Sequence, residues 1–204
     1  MQTNVGKIVN APTPKTKKGV RSLLGAVGFL RKFIPDCAGI LKPLTELTGK
    51  NKHENIVWQA EHQEAFDKVK QIITSKPVLK LFEKGKEHVL QTDACNEQIG
   101  AILLQREEDG ELHPVMYASR KLLPRETKYA ISEKEALAVF WGINKFYKYL
   151  LGTKFIIQTD CQALTILNGK PSKNARILRW QINVQRFDYT IQVIRGVDNG
   201  LADF

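Results

Sequence analysis

Apolar residues recur every three or four positions through the first part of the chain, which is the period of an amphipathic helix. The pattern predicts a helix over residues 20–34, which ends before Pro35 because proline cannot continue a helix. Similar patterns predict further helices over residues 40–47 and 59–73. We therefore expect this part of the chain to be mainly helical.

Near residue 86 the pattern changes to the short apolar and alternating runs that are typical of β-strands. Tight turns separate the first three runs, which predicts an antiparallel meander. Helices and strands then alternate, so we expect an α/β fold with a mixed five-stranded sheet and helices on its faces. The predicted strands are residues 88–92, 99–105, 115–118, 155–159 and 187–194, and the predicted helices are residues 132–150, 163–167 and 175–185.

These patterns divide the chain into three predicted parts. Residues 1–50 form a basic helical segment, residues 51–84 form a connecting helix and linker, and residues 85–204 form the α/β domain. No run approaches the roughly 20 continuous apolar residues of a membrane span, and the first residues lack the apolar run of a secretion signal. We therefore expect neither a membrane partner nor secretion.

The net charge of +10 is unevenly distributed along the chain. Residues 1–50 hold nine Lys or Arg against two acidic residues, a net charge of +7, whereas the rest of the chain holds 22 basic and 19 acidic residues. This difference indicates a segment that binds a polyanion beside a part that carries out chemistry, or alternatively a basic surface that is merely solvated. The candidates for contacts with nucleic-acid phosphates are Lys17, Lys18, Arg21, Arg31 and Lys32.

Acidic residues stand at the ends of two predicted strands. Asp93 follows the apolar run in VLQTDAC and Asp160 ends FIIQTD, although aspartate is also common where an ordinary turn begins. On the helix between them, Glu135 lies slightly nearer the apolar stripe than Glu133, and either is a usual residue for a helix start. Asp203, taken alone, is a surface acid. Hydrolysis of a phosphodiester with two divalent cations requires several converging carboxylates, and these residues are the candidates.

Ordered blocks of the sequence resemble the C-terminal part of reverse transcriptases of the gypsy class of LTR retrotransposons, from about Pro12 to Asp203. The stretch RSLLGAVGFLRKFIPDCAGILKPLTELTGK resembles the thumb-like helices of that family, and VWQAEHQEAFDKVKQIITSKPVL resembles its connecting segment. The RNase H part of the family is resembled by QTDAC, IGAILLQ, HPVMYASRKLLPRETKYAISEKEALAV, YLLGTKFIIQTDCQAL, RILRWQINVQRFDYTIQVIRG and NGLAD.

The resemblance implies an RNase H-like mixed five-stranded sheet flanked by helices, preceded by a small helical thumb-like and connecting segment. It implies cleavage of the RNA strand of RNA–DNA hybrids with two Mg²⁺ ions, with Mn²⁺ as an alternative. Matched to the motifs of the family, Asp93, Glu135, Asp160 and Asp203 are the implied catalytic and metal-binding acids.

The resemblance also implies partners and a location. The partners are an RNA–DNA hybrid duplex and the remainder of a Pol polyprotein, whose polymerase palm we do not find in this sequence. The location is inside the cell, in the cytoplasm or in a virus-like particle. Three widely spaced cysteines agree with a reduced intracellular protein that has neither a disulfide framework nor a zinc module.

Some residues depart from the pattern of the family or stay ambiguous. Cys95 and Cys161 stand where the family often has Ser and His, next to implied acids rather than in place of them. Asp203 is the penultimate residue, so we expect a poorly positioned carboxylate. Arg120, near a strand end, is a candidate for a phosphate contact or a solvated cation. A non-catalytic nucleic-acid-binding fragment stays open as an alternative, and so does another protein of the RNase H superfold such as an integrase, which HPVMYASRKL disfavours.

Overall fold

The chain folds into two compact units, Met1–Pro77 and Val78–Phe204, in a computed structural model. The predicted basic segment and most of the predicted connecting segment therefore fall together in the first unit. Among the described residues no helix is both long and apolar enough to cross a membrane. The structure describes residues 6, 8–49, 54–74, 80–161 and 171–195.

Helices build the described part of the first unit, as the sequence predicts. Helix α1 (Lys17–Leu30) begins after Thr16, whose hydroxyl accepts a hydrogen bond from the Gly19 N–H at 3.1 Å. A single 3-10 turn, Arg31–Phe33, follows α1 and precedes the proline. The predicted helix over residues 40–47 is instead two short helices. They are α2 (Cys37–Ile40) and α3 (Lys42–Glu46), and α4 (Ala60–Thr74) comes after them.

One apolar core joins the helices of the first unit. Val20 and Val27 of α1 lie in the same buried cluster as Phe66 and Val69 of α4, and each of these side chains is at most 1% exposed. Burial of an apolar side chain of this size stabilises a fold by about 1.5–3 kcal/mol. The predicted connecting helix is therefore an integral part of the first core.

Five strands form one mixed sheet in the second unit, with the order β3-β2-β1-β4-β5. The pairs β1–β2 and β2–β3 are antiparallel, which confirms the predicted meander, whereas β4 pairs in parallel with β1 and β5. The strands are β1 (His88–Ala94), β2 (Gln98–Arg106), β3 (Leu112–Lys121), β4 (Phe155–Thr159) and β5 (Tyr189–Val193).

Helix α5 (Ile131–Lys145) packs against one face of this sheet. Val139 and Ile143 of the helix share a fully buried cluster with Leu90 of β1 and Ile157 of β4. These contacts connect the helix to the two central parallel strands, and they fix the position of the first turns of α5 relative to the strand ends.

The predicted helix over residues 132–150 is divided at Phe146, where the backbone leaves the helical region at φ −100° and ψ 19°. The Phe146 side chain is fully buried in the sheet-facing core, so tertiary packing decides this turn rather than the helical pattern. A short helix α6 (Tyr147–Leu150) follows, and α7 (Ala175–Val184) precedes β5. The helix predicted over residues 163–167 lies outside the described residues.

Helix α5 lies close to the sheet at Gly142. A Cβ at this position would lie 3.1 Å from the Ala101 Cβ and 3.3 Å from the Thr92 Cγ2.

We expect Gly142→Val to lower the free energy of unfolding by about 1–3 kcal/mol because two branched methyl groups overpack this contact. Urea denaturation measures the change. Asn144→Val, on the exposed side of the same helix, is the matched control and should differ little from the wild type. Equal effects of the two substitutions would contradict this account.

Candidate active site

Two aspartates lie at the carboxyl ends of neighbouring parallel strands. Asp93 belongs to the last residues of β1, and Asp160 directly follows β4. The pairing between these strands ends where Gln91 aligns with Gln158, two residues before Asp93 and Asp160. Both aspartates therefore lie at the same end of the sheet, and both of their negative charges act on Glu135.

Glu135 of α5 lies close to both aspartates and is buried, with 5% of its surface exposed. The backbone N–H of Ala94 donates a hydrogen bond to its carboxylate, whereas the other oxygen, Oε2, is buried without a hydrogen-bond partner among the described residues. The pKa of Glu135 is raised to about 8, mainly by burial and then by the negative charges of Asp93 and Asp160. Asp93, Asp160 and Glu135 therefore form a cluster of acidic groups at one end of the sheet.

Glu133, two residues earlier on the same helix, has a different environment. Its carboxylate accepts hydrogen bonds from Asn174 Nδ2 at 2.8 Å and from Arg176 at 2.7 Å, and from the Ala130 N–H at 3.1 Å. The Asn174 hydrogen bond and the nearby positive charge of Arg176 lower the pKa of Glu133. Glu133 is therefore a structural contact between α5 and α7, and it is Glu135 that faces the aspartates.

The structure brings three of the four sequence candidates into electrostatic contact, but not into a shared coordination shell. Within the described ranges, no three His, Cys, Asp or Glu side chains lie close enough to hold one metal ion together. Like charges repel, and a cation between these carboxylates would favour a closer arrangement. Asp203, the fourth candidate, lies outside the described residues.

The structure adds a contact that the sequence pattern did not reveal. Lys134 is buried, and its Nζ donates a hydrogen bond to Asn96 Oδ1 at 3.0 Å, in the turn between β1 and β2. This contact links the start of α5 to the turn that follows Asp93. The sequence carries no signal for it, because Lys134 and Asn96 are 38 positions apart and meet only in the folded sheet.

The structure describes the surroundings of two further candidates for phosphate contacts. Lys17 is only 7% exposed, so little of its side chain is accessible. The NH1 and NH2 groups of Arg120 donate to the Glu126 carboxylate at 2.6 and 3.1 Å, and 26% of its side chain is exposed. Lys18, Arg21, Arg31 and Lys32 are exposed, and their contacts with nucleic acid stay a prediction.

Comparison with known sequences agrees with this geometry. Residues 58–157 match the family described as "RNase H-like domain found in reverse transcriptase". The chain is 38% identical over 199 residues to the "Retrovirus-related Pol polyprotein from transposon 297" of Drosophila melanogaster, covering 98% of this chain and 18% of that protein. It is 35% identical over 206 residues to the "Transposon Tf2-3 polyprotein" of Schizosaccharomyces pombe, covering 99% of this chain and 15% of that protein. The chain thus spans less than a fifth of the length of these curated relatives.

Solved structures show the same fold. The foamy viral protease-reverse transcriptase in complex with dsDNA aligns with a TM-score of 0.78 at 21% identity, over 96% of this chain and 42% of that one. The same viral enzyme in complex with RNA/DNA hybrid aligns with a TM-score of 0.77 at 21% identity, over 96% of this chain and 27% of that one. The fold is therefore RNase H-like, a mixed five-stranded sheet flanked by helices and preceded by a helical segment. More particularly, the chain carries the RNase H-like domain of a reverse transcriptase of the kind found in transposon Pol polyproteins.

The raised pKa of Glu135 makes a testable contribution to stability. Between about pH 4.5 and pH 8 the folded state keeps a proton that the unfolded state has lost, so this group lowers stability as pH rises through that window. We expect Glu135→Gln to become increasingly more stable than the wild type from pH 4.5 to pH 8, as measured by urea denaturation.

Glu133→Gln is the matched control on the same helix. The pKa of Glu133 is lowered, so its charged form stabilises the folded state above the unfolded-state pKa, and this contribution is lost as pH falls. The control should therefore be less stable than the wild type at pH 8, with the difference shrinking in acid. The interpretation of Glu135 fails if its variant shows the same sign as this control.

Proposed function

We propose that the second unit hydrolyses the RNA strand of RNA–DNA hybrids with divalent cations, and that the chain is part of the Pol polyprotein of a gypsy-class LTR retrotransposon. The observation that carries the proposal is the clustering of Asp93 and Asp160 with Glu135, whose pKa is raised by burial and then by the two aspartate charges. Perturbed carboxylates of this kind concentrate at functional sites. The similarity to the RNase H-like domain of reverse transcriptases supports the same reaction class.

The chemistry of the acidic side chains fits a divalent cation. Asp93, Glu135 and Asp160 would hold it, and Asp203 would be the fourth acid. All four offer the carboxylate oxygens that Mg²⁺ prefers, and Glu135 Oε2 is a buried oxygen without a hydrogen-bond partner among the described residues. A pair of Mg²⁺ ions, or of Mn²⁺ ions, would lower the pKa of the attacking water and neutralise charge on the scissile phosphate.

The acids of the chain contribute to the proposed site by their placement and, in the case of Glu135, by holding a proton. Asp93 lies within β1 and Asp160 directly follows β4, so both carboxylates stand at the end of the sheet where these two strands end. Glu135 holds a proton near neutral pH, because its pKa is about 8. A cation must compete with that proton, so binding should strengthen as pH rises toward 8.

The proposed substrate and partners follow from the relatives. The foamy viral enzyme has been solved with an RNA/DNA hybrid, and we infer the same ligand for this chain. Exposed Lys18, Arg21, Arg31 and Lys32 would add contacts to the phosphate backbone, and the 2′-hydroxyls would distinguish RNA from DNA. The remainder of the polyprotein would supply DNA polymerisation, inside the cell in the cytoplasm or a virus-like particle.

Replacement of Asp93 tests the proposal. We expect Asp93→Asn to reduce Mg²⁺-dependent cleavage of a labelled RNA–DNA hybrid by roughly 10²-fold or more, since loss even of groups that only support metal ligands costs 10- to 100-fold. Glu108→Gln, in the exposed β2–β3 turn, removes one negative charge at the opposite end of the sheet from Asp93 and should leave cleavage unchanged.

Two results would overturn the proposal. Cleavage by Asp93→Asn at the wild-type rate would exclude this site. A wild-type chain that binds the hybrid without cleaving it in Mg²⁺ or Mn²⁺ would favour the second candidate, a non-catalytic nucleic-acid-binding fragment. The specific observation behind that candidate is that no three described ligand side chains are already close enough to share an ion.

A further inference from the structure

The connection between β3 and α5, residues 121–130, is braced from the inside by an ion pair. The Arg120 guanidinium binds both oxygens of Glu126 and also lies 5.7 Å from the centroid of the Trp141 ring. The Leu123 N–H donates to the same carboxylate at 2.8 Å. Glu126 is 6% exposed and the Arg120 side chain is 26% exposed, so this bidentate pair is partly buried. We call residues 121–130 the braced loop.

The braced loop is further stiffened by its own backbone. The N–H groups of Glu126 and Thr127 both donate to the Leu123 carbonyl, at 2.7 and 3.1 Å, and the Thr127 hydroxyl donates to the Pro124 carbonyl at 2.9 Å. These bonds close a compact turn. A turn held this way loses little conformational freedom when a ligand binds.

The inward direction of Glu126 leaves the outer surface of the loop purely basic. Glu126 is the single acidic residue in the sequence KLLPRETKYA. Arg125 and Lys128 are exposed, and in the described part of the chain Glu126 forms its ion pair with Arg120 rather than with either of them. The one acidic side chain of the loop is thus used in the brace, and Lys121, Arg125 and Lys128 are exposed to solvent.

The braced loop is joined to two of the three elements that carry the clustered acids. At its start, the Leu122 N–H donates to the Glu97 carbonyl at 2.8 Å, in the turn that follows the Asp93 strand. At its end, Ala130 is the N-terminal cap residue of α5, the helix that carries Glu135. Arg125 and Lys128 therefore stand on a segment that is hydrogen-bonded to the turn after Asp93 and continues directly into the helix of Glu135.

We propose that the braced loop is a preformed phosphate-binding surface for a nucleic-acid duplex, with Arg125 and Lys128 as the contacts and the Arg120–Glu126 pair as the device that holds them. The identity of the duplex as an RNA–DNA hybrid rests on the proposed function. The surface recognises phosphates and carries no sequence specificity.

Salt-dependent binding tests the contacts. The affinity of Arg125→Ala/Lys128→Ala for a fluorescent RNA–DNA hybrid is measured by anisotropy without divalent cations, at several KCl concentrations. The slope of log K against log salt is negative, and loss of two phosphate contacts should reduce its magnitude by about 1.8. The affinity at low salt should fall by roughly tenfold or more. Both residues are exposed, and circular dichroism checks that the fold is unchanged.

Lys145→Ala/Lys148→Ala is the control. It removes the same charge from exposed positions at the other end of α5 and in α6. We expect it to keep nearly the wild-type slope. Equal losses in the two double variants would show that only net charge matters and would overturn the proposal.

Glu126→Gln tests the brace independently of the contacts. The substitution adds one unit of positive net charge, which by itself should tighten binding to a polyanion. If the brace positions Arg125 and Lys128, affinity should instead fall by several-fold, and tighter binding would refute the brace. These measurements require no cleavage. If the wild-type chain fails to hydrolyse the hybrid, the nuclease proposal is wrong, whereas the proposal of phosphate binding by the braced loop is unaffected.

Discussion

The second unit depends on one constraint, the enforced proximity of three carboxylates. Asp93 and Asp160 end paired parallel strands, and the packing of α5 adds Glu135, although like charges in a buried setting repel and disfavour ionisation. The apolar contacts of Val139 and Ile143 with the central strands hold the helix there against this repulsion. A cluster of three acids favours a positively charged ligand. The pKa of Glu135, raised by burial and by the charges of Asp93 and Asp160, is a measurable consequence of this arrangement.

Neighbouring residues of the same helix show how position decides the behaviour of a charge. Glu133 receives hydrogen bonds from Asn174 and Arg176 and favours its ionised form, whereas Glu135 is buried beside two negative charges and favours its protonated form. The two side chains have the same chemistry and are two positions apart. Their roles differ because one faces α7 and the other faces the strand ends.

Positive charges are divided in a similar way between structure and surface. Lys17 and Lys134 are buried, and the partly exposed Arg120 guanidinium is held in a bidentate pair with Glu126. Cations such as Arg125 and Lys128 are exposed and are accessible to a polyanion. A count of basic residues along the sequence cannot make this division.

The sequence by itself determined the succession of helices and strands, the five-stranded sheet and the likeness to RNase H, because the apolar periods and motif blocks are local properties of the chain. It also supplied Asp93, Glu135 and Asp160 as candidates. The resemblance to the family also selected Glu135 over Glu133, and the structure agrees, because the charges of both aspartates act on Glu135. Only the tertiary structure decided that Phe146 divides the long helix and that Arg120 braces a loop. Both of these depend on contacts between residues on different elements, which local periodicity does not encode.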